Sequence, residues 1–151
     1  MNTPAAAPLK QLLASHLQTL QTLLVTLEQE RGALEAQDVD VLERLTAEKS
    51  TAAGQLRDLG LALERLRSSS TTEPMDRWLT AHPQGAGEWQ QIRDIGSRCQ
   101  AANRENAVHL EARMRRTRGR LNALRGDDTP APLYGQTGPA TGYTRRLLGQ
   151  A

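Results

Sequence analysis

Leucines in the first third of the chain recur at alternating steps of four and three residues. The positions are Leu13, Leu17, Leu20, Leu24, Leu27, Arg31 and Leu34. This heptad spacing is typical of a helix that packs along one stripe, which we call its seam. Leu9, Leu12 and Leu23 make this seam broader than a two-stranded coil requires, so we expect a second surface to pack on it. With Pro8 in the first turn, the pattern predicts a helix over about residues 8–36.

A second seam follows a short polar break around residue 37. Its positions are Leu42, Leu45, Lys49, Ala52, Leu56, Leu59, Leu63 and Leu66. Asp38 is a good N-cap, and the pattern predicts a helix over 38–67 that ends in a polar loop at 68–72. A connection this short favours an antiparallel hairpin, and the alternative is one long helix with a kink at residue 37.

A third long helix is predicted over 88–125, after a short helix over 74–81 and a break at 83–87. Gly126 is the expected stop. The third seam consists of Trp89, Ile92, Ile95, Cys99, Ala102, Asn106, Leu110, Met114, Thr117, Leu121 and Leu124. Asn103 and Asn106 stand where leucines would be expected.

Two interpretations of these asparagines stay open. Polar residues in a helical seam set the register or the oligomeric state at a cost in stability. Alternatively, the face is not sealed within the chain and binds another protein. Its apolar anchors would then be Leu110, Met114, Leu121 and Leu124.

Composition supports an all-α fold. Hydrophobic residues make up 38% of the 151 residues, and aromatics only 3%. A β-rich fold would enrich Val, Ile, Phe, Tyr and Thr, whereas this chain relies on leucine and alanine. We therefore predict a long antiparallel helical hairpin plus a third long helix, a coiled-coil-like bundle over 1–126. Leucine seams of this width close either within one chain or across a homodimer.

The last segment, 127–151, holds three Pro and four Gly without sustained periodicity, so a flexible tail is predicted. Leu133, Tyr134 and Gly135 form an apolar island in it. An aromatic anchor beside a leucine is typical of a short linear contact, because it offers a large area at low entropic cost. Tyr134 is therefore a candidate binding residue.

Signals for catalysis are weak. His16, His82 and His109 lie far apart, so we expect no metal ligands, no catalytic residues and no cofactor. Cys99 occupies a seam position and is interpreted as a buried structural thiol. A single cysteine, no apolar stretch long enough to span a membrane and no secretory signal together predict a cytoplasmic protein without direct membrane insertion.

Positive charge is concentrated near the end of the third helix. Residues 86–126 hold nine arginines against four acids, although the whole chain carries only +2. The densest part includes Arg113, Arg115, Arg116, Arg118, Arg120 and Arg125. No aromatic side chain lies among these arginines to stack on bases, so an acidic or amphipathic partner helix is favoured over nucleic acid.

The order of these elements resembles the FlgN family of flagellar type III export chaperones. The resemblance rests on a leucine-rich hairpin, a Trp-led third helix with Asn-x-x-Asn at 103–106, and Leu-Tyr-Gly-x-x-Gly at 133–138. It implies an all-α cytoplasmic chaperone without ATPase activity. Its clients would be the hook–filament junction proteins FlgK and FlgL, bound through their C-terminal helical segments.

The resemblance also implies roles for particular residues. It assigns client binding to the third helix, including Asn103, Asn106 and Leu110. It assigns contact with the export-gate protein FlhA to Tyr134. Two other functions stay open on the residues alone. One is a coiled-coil adaptor or regulator unrelated to export, and the other is nucleic-acid binding by the basic third helix.

Overall fold

A computed structural model describes residues 6–126, and every regular element in that part of the chain is an α-helix. The helices are α1 (Ala6–Ala36), α2 (Val39–Ser70), α3 (Met75–Ala81) and α4 (Ala86–Arg125). The predicted all-α class is confirmed. None of these four helices is long and apolar enough to cross a membrane.

The break at residue 37 is a tight turn and not a kink. Gln37 adopts a left-handed φ of 62°, and the Asp38 amide donates to the carbonyl of Ala33 at 3.0 Å. This six-to-one bond is the Schellman arrangement that ends a helix. Asp38 then caps α2 as predicted, because its carboxylate accepts from the amide of Val41 at 3.1 Å. The turn sends α2 back along α1 as the second arm of a hairpin.

The broad seam of α1 is buried, and α4 supplies the second surface expected to pack on it. The Cys99 thiol donates to the carbonyl of Leu20 at 3.5 Å, and the Asn106 amide donates to that of Leu27 at 2.8 Å. The second contact lies seven residues further along both helices than the first. This first part of α4 therefore runs parallel to α1.

Leucines dominate the core between these helices. Those most completely buried are Leu13, Leu27, Leu45 and Leu79. Fully burying a leucine contributes about 1.5–3 kcal/mol. No seam position predicted for α2 is exposed, so the predicted pattern of burial is confirmed there.

The short helix α3 is fixed to α4 by a polar cluster, and its Trp78 and Leu79 are buried in the hydrophobic core. The Asp76 carboxylate accepts from the indole of Trp89 at 2.9 Å and from the guanidinium of Arg93 at 2.7 Å. The sequence did not indicate this cluster, because its members are 13 and 17 residues apart.

Several helix boundaries differ from the prediction. α2 continues through Ser70 instead of ending at 67, so the expected loop at 68–72 is wrong for 68–70. The hydroxyls of Ser68, Ser69 and Ser70 donate to carbonyls of the preceding turn at 2.8–3.2 Å, which satisfies them within the helix. α1 begins at residue 6, α3 at 75 and α4 at 86 rather than at 8, 74 and 88.

The structure divides within α4, between Ala107 and Val108, into two units. The first unit contains α1, α2, α3 and the beginning of α4. The described part of the second unit is the remainder of α4, which ends at Arg125 with Gly126 at a left-handed φ of 69°. Gly126 is thus confirmed as the stop.

Candidate partner-binding surface

The second unit presents an apolar stripe on the last part of α4. Leu110, Met114, Leu121 and Leu124 are between 46% and 84% exposed. With about 100° of rotation per residue, all four lie within an arc of about 80° on one side of the helix. We call these four residues the apolar stripe. Apolar side chains aligned on one side of a helix are typical of the anchors through which two helices pack.

Arginines flank the apolar stripe on both sides. Arg113 and Arg120 lie beside it on one side, and Arg118 and Arg125 beside it on the other, at about 60–80° from its middle. Arg115 and Arg116 lie on the opposite half of the helix, more than about 100° from the middle of the stripe. Between residues 108 and 125 there are six arginines and one acid, Glu111, which forms an ion pair with Arg115. The stripe is therefore apolar at its centre and cationic at both edges.

Asn103 and Asn106 lie in the first unit and take part in a polar network between three helices. Asn106 is 3% exposed, and its side-chain amide donates to the Glu30 carboxylate at 2.8 Å as well as to the Leu27 carbonyl. The side-chain oxygen of Asn103 accepts from the ammonium of Lys49 at 3.0 Å, and Lys49 also donates to the Glu30 carboxylate at 2.9 Å. We call Glu30, Lys49, Asn103 and Asn106 the buried network.

The buried network links α1, α2 and α4 through hydrogen bonds and an ion pair, which leucine side chains could not form. The side chains of Glu30 and Lys49 are only 10% and 29% exposed, so their opposite charges compensate each other inside the bundle. The side-chain oxygen of Asn106 is buried without a hydrogen-bond partner. The Asn-x-x-Asn pair thus contacts other helices of its own chain. A role for it in client binding stays a prediction.

Glu30 and Lys49 were missed as candidate residues. Lys49 occupies a position of the predicted α2 seam, and a cation at a position expected to be apolar is the signal that the sequence offers. A buried cation requires an acid within reach, but the sequence does not say which one. The glutamate that fulfils this requirement lies 19 residues earlier, on the other arm of the hairpin.

Groups that could support catalysis are separated in the described residues. The interpretation of Cys99 as a buried thiol is confirmed, and burial raises the pKa of that thiol to about 11, which suppresses the reactive thiolate. Burial also lowers the pKa of His16. Across 6–126, no group of three His, Cys, Asp or Glu side chains could hold a metal ion.

The predicted gate-binding residues Leu133, Tyr134 and Gly135 lie outside the described residues, as does the whole predicted tail 127–151. Their role stays a prediction.

Comparison with known proteins gives one family. The model of the FlgN protein family matches residues 1–142, which is nearly the whole chain. No curated protein and no solved structure matches the chain. The match includes the hairpin, the Asn-x-x-Asn pair and the Leu-Tyr-Gly segment on which the resemblance rested. The chain belongs to the FlgN family, a family of flagellar export chaperones and not of enzymes.

Proposed function

We propose that this protein is a cytoplasmic chaperone that binds the C-terminal helical segments of FlgK and FlgL and delivers them to the flagellar export gate. The observation that carries the proposal is the apolar stripe of α4, whose members are exposed although they continue a buried seam in sequence. A stripe of this kind binds an amphipathic helix by burying both apolar faces. The family membership supports flagellar proteins as the source of that helix.

The proposed division of labour assigns the client to the apolar stripe and the gate to the tail. Binding of the client through a helix face needs no nucleotide hydrolysis, because burial of a few leucines gives reversible affinity. A gate contact with FlhA through Leu133, Tyr134 and Gly135 would leave the stripe occupied while the loaded chaperone docks. Asn103 and Asn106 take part in client binding in this proposal by fixing the first part of α4 through the buried network.

The apolar stripe can be tested with a matched control on the same helix. We expect the double substitution Leu121→Ala and Leu124→Ala to weaken binding of the FlgK and FlgL C-terminal segments at least tenfold. Each leucine that loses its burial costs about 1.5–3 kcal/mol. Val108→Ala is the control, because Val108 is 63% exposed but lies on the opposite side of the helix. Titration calorimetry with the full chain measures both variants. Equal affinities for the two would refute the assignment of the stripe.

The gate contact is tested by Tyr134→Ala. We expect this variant to bind the client segments as the unaltered chain does and to lose retention on the cytoplasmic domain of FlhA. Pull-down with each partner separates the two sites. A loss of both contacts together would overturn the two-site proposal.

A further inference from the structure

The arginines on both sides of the apolar stripe add a specificity for partner charge that the apolar residues alone do not provide. Leucines bind any helix that has an apolar face. Charges at both edges of the stripe discriminate between such helices by the charges that flank the partner helix's own seam. Four arginines occupy the two edges, and Glu111 is the one acidic residue between 108 and 125. A partner seam edged with lysine or arginine would face like charges on both sides.

We propose that the apolar stripe selects an amphipathic helix whose own apolar seam is flanked by acidic residues on both sides. This inference rests on the proposed function, since it specifies the chemistry of the client helix at that same site. Glutamate or aspartate at the edges of the partner seam would pair with Arg118 and Arg125 on one side and with Arg120 on the other. These pairs contribute little affinity individually, but they penalise a wrongly charged helix.

The width of the stripe favours a helix over an anionic membrane or nucleic acid. Its arc of about 80° matches the narrow seam of a two-helix contact, whereas a helix lying on a membrane has a broader apolar face that is anchored by large aromatic side chains as well as by leucine. Residues 108–125 contain neither Trp nor Phe. They also contain no Phe, Tyr or Trp that could stack on exposed bases.

The direct test uses two synthetic helical peptides of about four heptads with leucine at positions a and d. One carries glutamate at e and g, and the other carries lysine there. Fluorescence anisotropy with the full-length chain should show the acidic peptide binding at least tenfold more tightly than the basic one. The chain should also bind the acidic peptide more tightly than it binds anionic phosphatidylglycerol vesicles or a single-stranded oligonucleotide. Equal affinity for the two peptides, or preference for vesicles or the oligonucleotide, would overturn the proposal.

A pair of matched variants separates edge contacts from overall charge. Arg118→Gln with Arg120→Gln removes two charges at the edges of the stripe, and Arg115→Gln with Arg116→Gln removes two charges from the opposite half. We expect about a tenfold loss of acidic-peptide affinity for the edge pair and less than about a twofold loss for the opposite pair. Equal losses would mean that net charge alone attracts the peptide, which would overturn the proposal.

Binding of the FlgK and FlgL segments distinguishes this inference from the proposed function. If the segments bind and the edge pair loses no affinity for them, the charge selection is wrong while the client assignment stands. If the acidic peptide binds with the expected arginine dependence and the segments do not bind, the surface is selective as proposed and the client assignment is wrong.

Discussion

The ion pair inside the bundle makes Lys49→Met the most informative substitution. Methionine keeps the length and most of the apolar stem of lysine and removes only the ammonium group. Lys49 donates to the Glu30 carboxylate at 2.9 Å and to the side-chain oxygen of Asn103 at 3.0 Å. After the substitution, the Glu30 carboxylate still accepts from the Asn106 amide. The buried network no longer supplies a cation that compensates its charge.

The expected cost follows from how little water reaches this pair. Removing one member of a buried ion pair costs about 3–5 kcal/mol, because the remaining charge stays desolvated without compensation. Lys49 keeps 29% of its side-chain exposure, so the lower end applies. We expect a loss of about 3 kcal/mol in the free energy of unfolding. For a unit of this size, that lowers the melting temperature by about 10–20 °C.

Urea unfolding followed by circular dichroism at 222 nm measures this loss. Arg44→Met is the matched control, since Arg44 forms an ion pair with Glu48 at 3.0 Å in which the two side chains are 60% and 44% exposed. An exposed pair of this kind contributes about 0.3–0.5 kcal/mol. Adding Glu30→Gln to Lys49→Met should restore much of the stability, because the uncompensated charge disappears. A loss below about 1 kcal/mol for Lys49→Met, or no recovery in the double variant, would refute the reasoning.

Two further predictions concern the turn and the thiol. Gln37→Gly should raise the free energy of unfolding by about 0.5–1 kcal/mol, since glycine adopts the φ of 62° found there without the steric cost that glutamine incurs. Urea unfolding measures this change, and Gln37→Val, the control, should lower the free energy of unfolding. Because burial raises the pKa of Cys99 from an ordinary value of 9.0 to about 11, the folded chain keeps a proton that the unfolded chain loses, so stability should fall as pH rises through this interval. Cys99→Ala should lack that part of the pH dependence, and an identical pH profile for the two chains would contradict the assignment.

The helical periodicity predicted the buried faces well because it depends only on local spacing. The seams of α1 and α2, the Asp38 cap and the stop at Gly126 all follow from residues within one or two turns of each other. The extension of α2 over 68–70 was missed because serine is ambiguous in sequence. Its hydroxyl favours loops, but it can also donate to a carbonyl of the preceding turn, as it does here.

Contacts between helices were harder to predict. A seam shows which face of a helix is buried, but it does not show which helix covers that face or in which direction that helix runs. The parallel course of α1 and the beginning of α4 is therefore a structural result, as is the pairing of Lys49 with Glu30. The same limitation applies to the candidate surface. The seam predicted for α4 extends from Cys99 to Leu124, with three steps of four in a row between Ala102 and Met114, while burial ends after Asn106.

Leucine seams that repeat every seven residues pose a problem during folding, since a helix displaced by one heptad recovers most of its apolar contacts. The buried network removes this near-equivalence. If α4 shifts by seven residues towards the start of α1, Asn106 faces Leu23 instead of Glu30 and loses an acceptor for its amide. A buried amide group without its partner costs about 1–3 kcal/mol. A bundle misaligned by one heptad is therefore less stable than the native one, and the buried network fixes the register of α4 on α1.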